Sequence, residues 1–310
     1  VVNSPSRLHS NRAAVVLAGG DGTRLRALTR KIVGEEIPKQ FCAVTGPTTL
    51  LEETLARAAH AACPARIVTV VTRSHERHYG PLLQRVPPEC VVIQPDNRGT
   101  APAILYALMR LCDIAPDCAV VLFPSDHYFS DEAAFLRHVV SAYEAVERRP
   151  ELVILLGITP TNSEPGYGWI EPGAPIGMRG VPLRFVRRFI EKPNAVVADK
   201  LLRGGSLWNS FVIVARVSAL LGMFIVAMPY LYKRFSAVRR TLGTEFERQA
   251  IERIYASLAS TSFSAEVLAR CSANLAVLPV HDIEWSDLGE PRRVIETLAR
   301  MGVQPRWAAA

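Results

Sequence analysis

Several short segments of this sequence place charge and exposed backbone where phosphate chemistry would need them. Residues 17–25 read Leu-Ala-Gly-Gly-Asp-Gly-Thr-Arg-Leu, directly behind the apolar run 13–16. Glycines let backbone N–H groups approach phosphate oxygens, and Arg24 adds a fixed positive charge. Pro38-Lys39-Gln40-Phe41 follows, and Lys39 is placed to fold back over the same strand end and meet a polyphosphate. Ser125-Asp126-His127 comes after the apolar run 119–123. A carboxylate at the end of a strand is a natural Mg²⁺ ligand, because hard cations take oxygen donors and keep several waters. Glu191-Lys192-Pro193 closes another apolar run, where Lys192 offers a point charge suited to a phosphate monoester. Asp287, between Trp285 and Gly289, supplies a second carboxylate late in the chain.

Two further segments offer neutral polar groups. In 94–103, Gln-Pro-Asp-Asn-Arg-Gly-Thr-Ala-Pro-Ala, the spacing makes Thr100 a helix N-cap with Pro102 in the first turn. The rim formed by Gln94, Asn97 and Thr100 would present amides and a hydroxyl to a nucleobase. Trp208-Asn209-Ser210 would set an indole and an amide near a sugar. Each segment also has an ordinary reading: a tight strand–helix turn, a capped helix start, a solvent-facing lysine, a packing histidine or a core tryptophan. Known phosphate loops fit poorly. A P-loop needs Gly-Lys-Ser/Thr where Gly22-Thr23-Arg24 stands, and a dinucleotide fingerprint needs a third glycine where Leu25 stands.

The elements that would carry these groups alternate. Strands are expected at 13–18, 66–72, 90–94, 118–123 and 151–158, with helices between them at 48–62, 75–85, 100–112 and 131–148. This order predicts an α/β fold with a mixed, mostly parallel sheet and helices on both faces. Ligands bind such sheets at the carboxyl ends of the strands, where the glycine-rich turn and Asp126 both fall. Strands at 167–171, 183–190 and 207–215 are expected to form a smaller mixed sheet covering the open side of the first. Residues 217–272 read as helical, a last strand lies near 275–280, and 291–300 reads as a short helix. The domain reading is an N-terminal extension at 1–12, one domain over 13–290 that includes the helical segment, and a tail at 291–310.

Composition narrows the class. The 310 residues are 49% hydrophobic, enough for a large core, and carry a net charge of +7 that suits anionic substrates. The basic residues are dispersed, so no nucleic-acid partner is expected. The six cysteines form no CxxC pair and read as reduced thiols of a cytoplasmic protein. No signal peptide is expected, and the apolar stretch 217–228 is too short for a membrane span.

Together the motifs resemble the sugar-1-phosphate nucleotidyltransferases, most closely their mannose-1-phosphate guanylyltransferase branch. The segments that carry the resemblance are 17–25, 38–41, 97–104 (NRGTAPAI), 123–127, 166–171 (GYGWIE), 189–193, 208–210 and 285–289, which together span roughly 13–290. It implies a Rossmann-like fold of the glycosyltransferase-A type and transfer of a nucleotidyl group, guanylyl by this branch, from a nucleoside triphosphate to a sugar 1-phosphate. Ala18, Gly19, Gly20, Gly22, Thr23, Arg24, Gln94, Asn97, Thr100 and Ser125 would bind the nucleotide. Gly168, Glu191, Lys192 and Asn209 would bind the sugar phosphate. Arg24, Lys39, Asp126 and Asp287 would be catalytic, with Mg²⁺ held by Asp126 and Asp287.

The chain departs from the family pattern at Ala27, in the long charged segment 29–37, at Gly99 (family asparagine) and at Phe211 (family glycine). Thymidylyl, uridylyl or adenylyl transfer to glucose 1-phosphate stays open, as does a regulatory subunit that binds nucleotide sugar without turnover. A dehydrogenase is disfavoured by Arg24 and Leu25. The helical segment and the apolar tail residues are candidate surfaces for a homo-oligomer.

Overall fold

The computed structural model describes residues 11–303 and Trp307. Its strands are β1 (Arg12–Leu17), β2 (Ile67–Thr72), β3 (Val91–Gln94), β4 (Ala119–Pro124), β5 (Tyr128–Phe129), β6 (Val153–Ile158), β7 (Gly168–Pro175), β8 (Arg184–Glu191), β9 (Leu207–Arg216), β10 (Leu275–Val280) and β11 (Trp285–Ser286). The helices are α1 (Arg26–Val33), α2 (Leu50–Ala61), α3 (Glu76–Leu83), α4 (Thr100–Ile114), α5 (Glu132–Arg148), α6 (Ala195–Arg203), α7 (Val217–Ala227), α8 (Pro229–Val238), α9 (Glu247–Tyr255) and α10 (Pro291–Arg300). The first strands fall where the apolar runs predicted them.

Nine strands form one sheet in the order β3-β2-β1-β4-β9-β6-β10-β8-β7. The block β3-β2-β1-β4 is parallel throughout, and β10 runs parallel to β6. Strand β9 inserts antiparallel between β4 and β6, so β7, β8 and β9 continue the main sheet instead of forming the separate smaller sheet expected. Side chains along β1 alternate between two cores. Ala14 and Val16 join residues of α2 and α5, whereas Ala13 and Val15 join those of α4, α7, α8 and α9. Burial on both faces is why the strands read as continuous apolar runs. Capping supports the helices: Thr49 and Glu52 form a reciprocal capping box on α2, and Asp131 accepts the Ala134 N–H at the start of α5.

The region 217–272 is three helices and a π-helical turn at Ser264–Leu268, broken at 242–246 and 256–262. In α7, Leu220, Met223 and Phe224 are buried, as a core helix requires. Helix α10 packs Val294 and Leu298 into the first core. Among the described residues, no helix is long and apolar enough to cross a membrane.

Three features of this topology build the site. The carboxyl ends of β1, β3 and β4 share one edge of the parallel block. Strand β7 pairs with both β8 and the start of β9, setting Gly168 opposite Glu191 and Trp169 opposite Trp208. The two-residue strands β5 and β11 pair with each other, Trp285 opposite Phe129, which brings the segment after β4 against the segment holding Asp287.

Candidate active site

A cavity of about 570 Å³ opens at these strand ends. Its lining contains Gly19, Gly20, Arg24, Gln94, Asn97, Thr100, Ser125, Asp126, Gly168, Glu191, Lys192, Asn209 and Asp287. A smaller cavity of about 300 Å³ is lined by Gly22, Thr23 and Lys39 and shares Arg24, Asp126, His127 and Asp287 with the first. Of the residues singled out in the sequence, Trp208 and Ala18 line neither: Trp208 is a core residue, and Ala18 packs beneath the turn. Ala18 is fully buried, and its carbonyl accepts a hydrogen bond from Gln40 Nε2 at 3.0 Å.

The glycine-rich turn is held from below. Gln40 Nε2 also donates to the carbonyl of Gly20 at 2.7 Å, and Thr72 Oγ1 donates to that of Gly19 at 2.9 Å. A Cβ on Gly19 would stand 2.4 Å from Gln94 Nε2 and 3.0 Å from Thr72 Oγ1, so a side chain there would displace the Gln94 amide. Gln94 is itself fixed, since the Tyr255 hydroxyl donates to its Oε1 at 3.0 Å. Asn97 is locked by donating to Asp21 Oδ2 (2.9 Å) and accepting from the Gly99 N–H (3.0 Å).

Thr100 departs from its expected role. Gly99 is the cap residue of α4, Thr100 is the first helical residue, and its hydroxyl accepts the N–H of Phe263 at 2.8 Å. The long-range contact with the 261–263 segment displaces local capping, because Gly99 lets that segment come within backbone hydrogen-bonding distance. Thr261 donates to the Arg98 carbonyl at 2.9 Å and accepts from Ala101 at 3.1 Å.

The two carboxylates lie in both cavities and each has a cationic partner. Lys39 Nζ is 3.2 Å from Asp126 Oδ2 and donates to the backbone carbonyls of Asp287 and Leu288. Arg293 Nη1 donates to both oxygens of Asp287, at 2.8 and 3.0 Å. Oδ1 of Asp287 also accepts from the Gly289 N–H at 2.9 Å and from the Tyr167 hydroxyl at 3.3 Å. Burial would raise the Asp287 pKa, but Lys39, His127 and Arg293 outweigh it and hold the carboxyl below its ordinary value. Burial pushes His127 down to about 4, against the opposing pull of Asp126, so this imidazole is neutral near pH 7. Its Nδ1 accepts from Trp285 Nε1 at 3.3 Å, which leaves the proton on Nε2, 3.7 Å from Asp126 Oδ1.

On the opposite side, burial pushes the Glu191 carboxyl up, partly offset by the adjacent Lys192. Lys192 has φ of +46° and Phe211 has φ of +60°, both in the left-handed region that glycine favours. Phe211 belongs to a bulge where β9 slips against β6 between Leu155 and Gly157, and its N–H is held by Asn209 Oδ1 at 3.0 Å. Glycine, the residue that the resemblance leads one to expect at this position, would suit that conformation. Here a ring occupies it instead, edge-on to Phe263 and lining the cavity.

Sequence reasoning passed over Arg293, Tyr167, Gln40 and Tyr255. Gln40 and Tyr167 lie inside segments already singled out. Nothing local marks Arg293, on a charged terminal helix, or Tyr255.

The chain matches the family model described as nucleotidyl transferase over residues 13–301. It belongs to the nucleotidyl transferase family. Curated members similar to it include the xanthan biosynthesis protein XanB of Xanthomonas campestris pv. campestris (strain B100), 34% identical over 283 residues that make up 89% of this chain and 57% of the other. Another is mannose-1-phosphate guanylyltransferase 2 of Escherichia coli O157:H7, 29% identical over 89% of this chain and 58% of the other. The chain thus spans less than two thirds of the length of these relatives. Among solved structures of the family, one described as mannose-1-phosphate geranyltransferase from Thermus thermophilus superposes with a TM-score of 0.79 at 27% identity, covering 95% of this chain and 80% of the other.

Proposed function

We propose that this chain transfers a guanylyl group from GTP to mannose 1-phosphate, giving GDP-mannose and pyrophosphate. One observation carries the reading. The glycine-rich turn with Gln94, Asn97 and Thr100, and the group of Gly168, Glu191, Lys192 and Asn209, line one cavity together with Asp126 and Asp287. That is the arrangement a two-substrate site requires. The named guanylyltransferase relative supports the choice of base and sugar.

An oxygen of the sugar phosphate attacks the α-phosphorus in line; the new P–O bond forms as the bond to the β-phosphate oxygen breaks and pyrophosphate leaves. The nucleophile is already an anion near neutral pH, so no protein base is needed. The barrier lies in bringing anions together, and positioning with charge neutralisation supplies most of the catalysis. Gly19 and Gly20 approach the nucleoside, and Gly22, Thr23 and Arg24 hold the triphosphate. Lys39 neutralises the α-phosphate region, and Lys192 holds the attacking phosphate.

The donor set fits a magnesium ion that arrives with phosphate oxygens. Mg²⁺ takes one or two carboxylates and completes its shell with waters and phosphates. Three carboxylates line this cavity, Asp126, Asp287 and Glu191, whereas among the described residues there is no cluster of three or more ligating side chains that could cage an ion alone. Asp126 and Asp287 would hold the ion, which would polarise the phosphoryl oxygens. A cytoplasmic setting accords with the six unpaired cysteines.

Pyrophosphate release from the four nucleoside triphosphates, each paired with mannose 1-phosphate, glucose 1-phosphate and other hexose 1-phosphates, tests the reading. The highest kcat/KM is expected for GTP with mannose 1-phosphate. A preference for another pair reassigns the substrates. GTP binding without any turnover points to a regulatory subunit.

A further inference from the structure

Each carboxylate assigned to the metal is paired with a cation of the chain. Asp126 is paired with Lys39 at 3.2 Å. Asp287 is paired with Arg293, whose Nη1 reaches both carboxylate oxygens, at 2.8 and 3.0 Å. Neither cation is a loosely held surface group: the Lys39 side chain is 11% exposed and that of Arg293 10%.

Arg293 is anchored independently of Asp287. Its Nη2 is 3.0 Å from Glu164 Oε1, its guanidinium lies 4.4 Å from the centre of the Tyr167 ring, and Val294 and Leu298 fix α10 in the core. The arginine therefore holds its place while the carboxylate is oriented against it. With Arg293, Gly289 and Tyr167 all on Oδ1, that oxygen accepts three hydrogen bonds, whereas Oδ2 accepts one. Oδ2 is the oxygen left with capacity for an ion.

We propose that Arg293 is a positioning residue that turns Oδ2 of Asp287 toward the substrates and, together with Lys39 on Asp126, keeps the nucleotide-free site from capturing a divalent cation. This rests on the assignment of Asp126 and Asp287 as the metal carboxylates. An ion entering alone must compete with two fixed cations for two carboxylates, at short range and in a partly desolvated cavity. An ion entering on a triphosphate brings its own anionic oxygens, which also give Lys39 and Arg24 new partners. The site then admits the metal–triphosphate complex and discriminates against the free ion. Arg24 is poised for that exchange, being exposed and only loosely paired with Glu290 at 3.8 Å.

The test is Mn²⁺ binding to the nucleotide-free full chain, read by electron paramagnetic resonance and calorimetry, with folding checked by circular dichroism. The parent protein should bind Mn²⁺ weakly. Arg293→Met should bind it at least about tenfold more tightly, equivalent to about 1.4 kcal/mol. Arg293→Lys keeps the charge but not the planar guanidinium, so it should show a smaller gain, and it guards against a Met variant that fails to fold. The gain should vanish in the Asp126→Asn/Arg293→Met double variant, which locates the ion. Tight Mn²⁺ binding by the parent, or affinities in both Arg293 variants within about twofold of the parent, would overturn the proposal. Because the readout needs neither GTP nor mannose 1-phosphate, a silent turnover screen with the expected Mn²⁺ series would refute the substrate assignment alone.

Discussion

Lys39 Nζ stands 3.2 Å from Oδ2 of Asp126, although the two residues lie on separate loops that the sheet brings together. The same ammonium donates to the carbonyls of Asp287 and Leu288, so one side chain ties three segments of the site. Lys39→Met would leave Asp126 without its counter-charge and release the 287–289 turn. Asp126 is 26% exposed, which puts the expected loss at about 1–3 kcal/mol, below that of a fully buried pair. Turnover should fall by about 10²–10³-fold. Denaturant unfolding and steady-state kinetics check both, and normal turnover would remove Lys39 from the reaction.

The two carboxylates should respond differently to truncation. Asp126→Ala should lower kcat sharply with little change in stability, because Lys39 keeps two carbonyl partners. Asp287→Ala should lower kcat and also cost about 1–3 kcal/mol, because the buried Arg293 guanidinium loses both bonds to that carboxylate and keeps Glu164 as its close acidic partner. Equal melting temperatures for the two variants would contradict the clamp.

Gly99 should tolerate no side chain. Its φ is +82°, and a Cβ there would meet the Thr261 carbonyl oxygen at 2.4 Å and the Thr261 nitrogen at 2.8 Å. Gly99→Ala should cost at least about 2 kcal/mol and raise the KM for the nucleotide. Truncating Thr261 should not rescue it, since the clash is with main chain. Wild-type stability in Gly99→Ala would show that the 261–263 segment is not held there.

Lys192 combines a strained backbone with a binding role. Lys192→Ala should raise the KM for the sugar phosphate by about tenfold or more with a smaller effect on kcat. Lys192→Gly should lose the same binding yet be about 1 kcal/mol more stable than the alanine variant, because φ of +46° suits glycine. An unchanged KM would count against the phosphate contact.

Glu191 sets a pH dependence with a definite sign. Burial raises its folded pKa above the unfolded value, so the folded state binds more protons across the interval between them. The stability tied to the protonated form is fully present below the unfolded pKa and is lost as pH rises through the folded one. Glu191→Gln should therefore raise the melting temperature at neutral pH, with the advantage shrinking as pH drops into the ordinary carboxylate range. A constant difference across pH would refute this assignment.

The sequence by itself determined the local elements and the identities of the groups at their ends. Apolar runs such as 13–16 and 119–123 mark strands buried on both faces, and each is followed by chemistry-bearing residues, the glycine-rich turn and Ser125-Asp126-His127. These signals are local, because a strand and the turn that ends it are written in adjacent residues. What only the tertiary structure decided is which groups meet. The pairing of β5 with β11 involves two residues on each side, too few to leave a periodic trace, yet it sets Asp287 beside the segment of Asp126. The pull of Phe263 on Thr100 and the antiparallel insertion of β9 were equally invisible, being contacts between distant segments. Arg293 is the plainest case. On a helix rich in charge it looks like any solvated arginine, and only the packing of Val294 and Leu298 turns it inward onto Asp287.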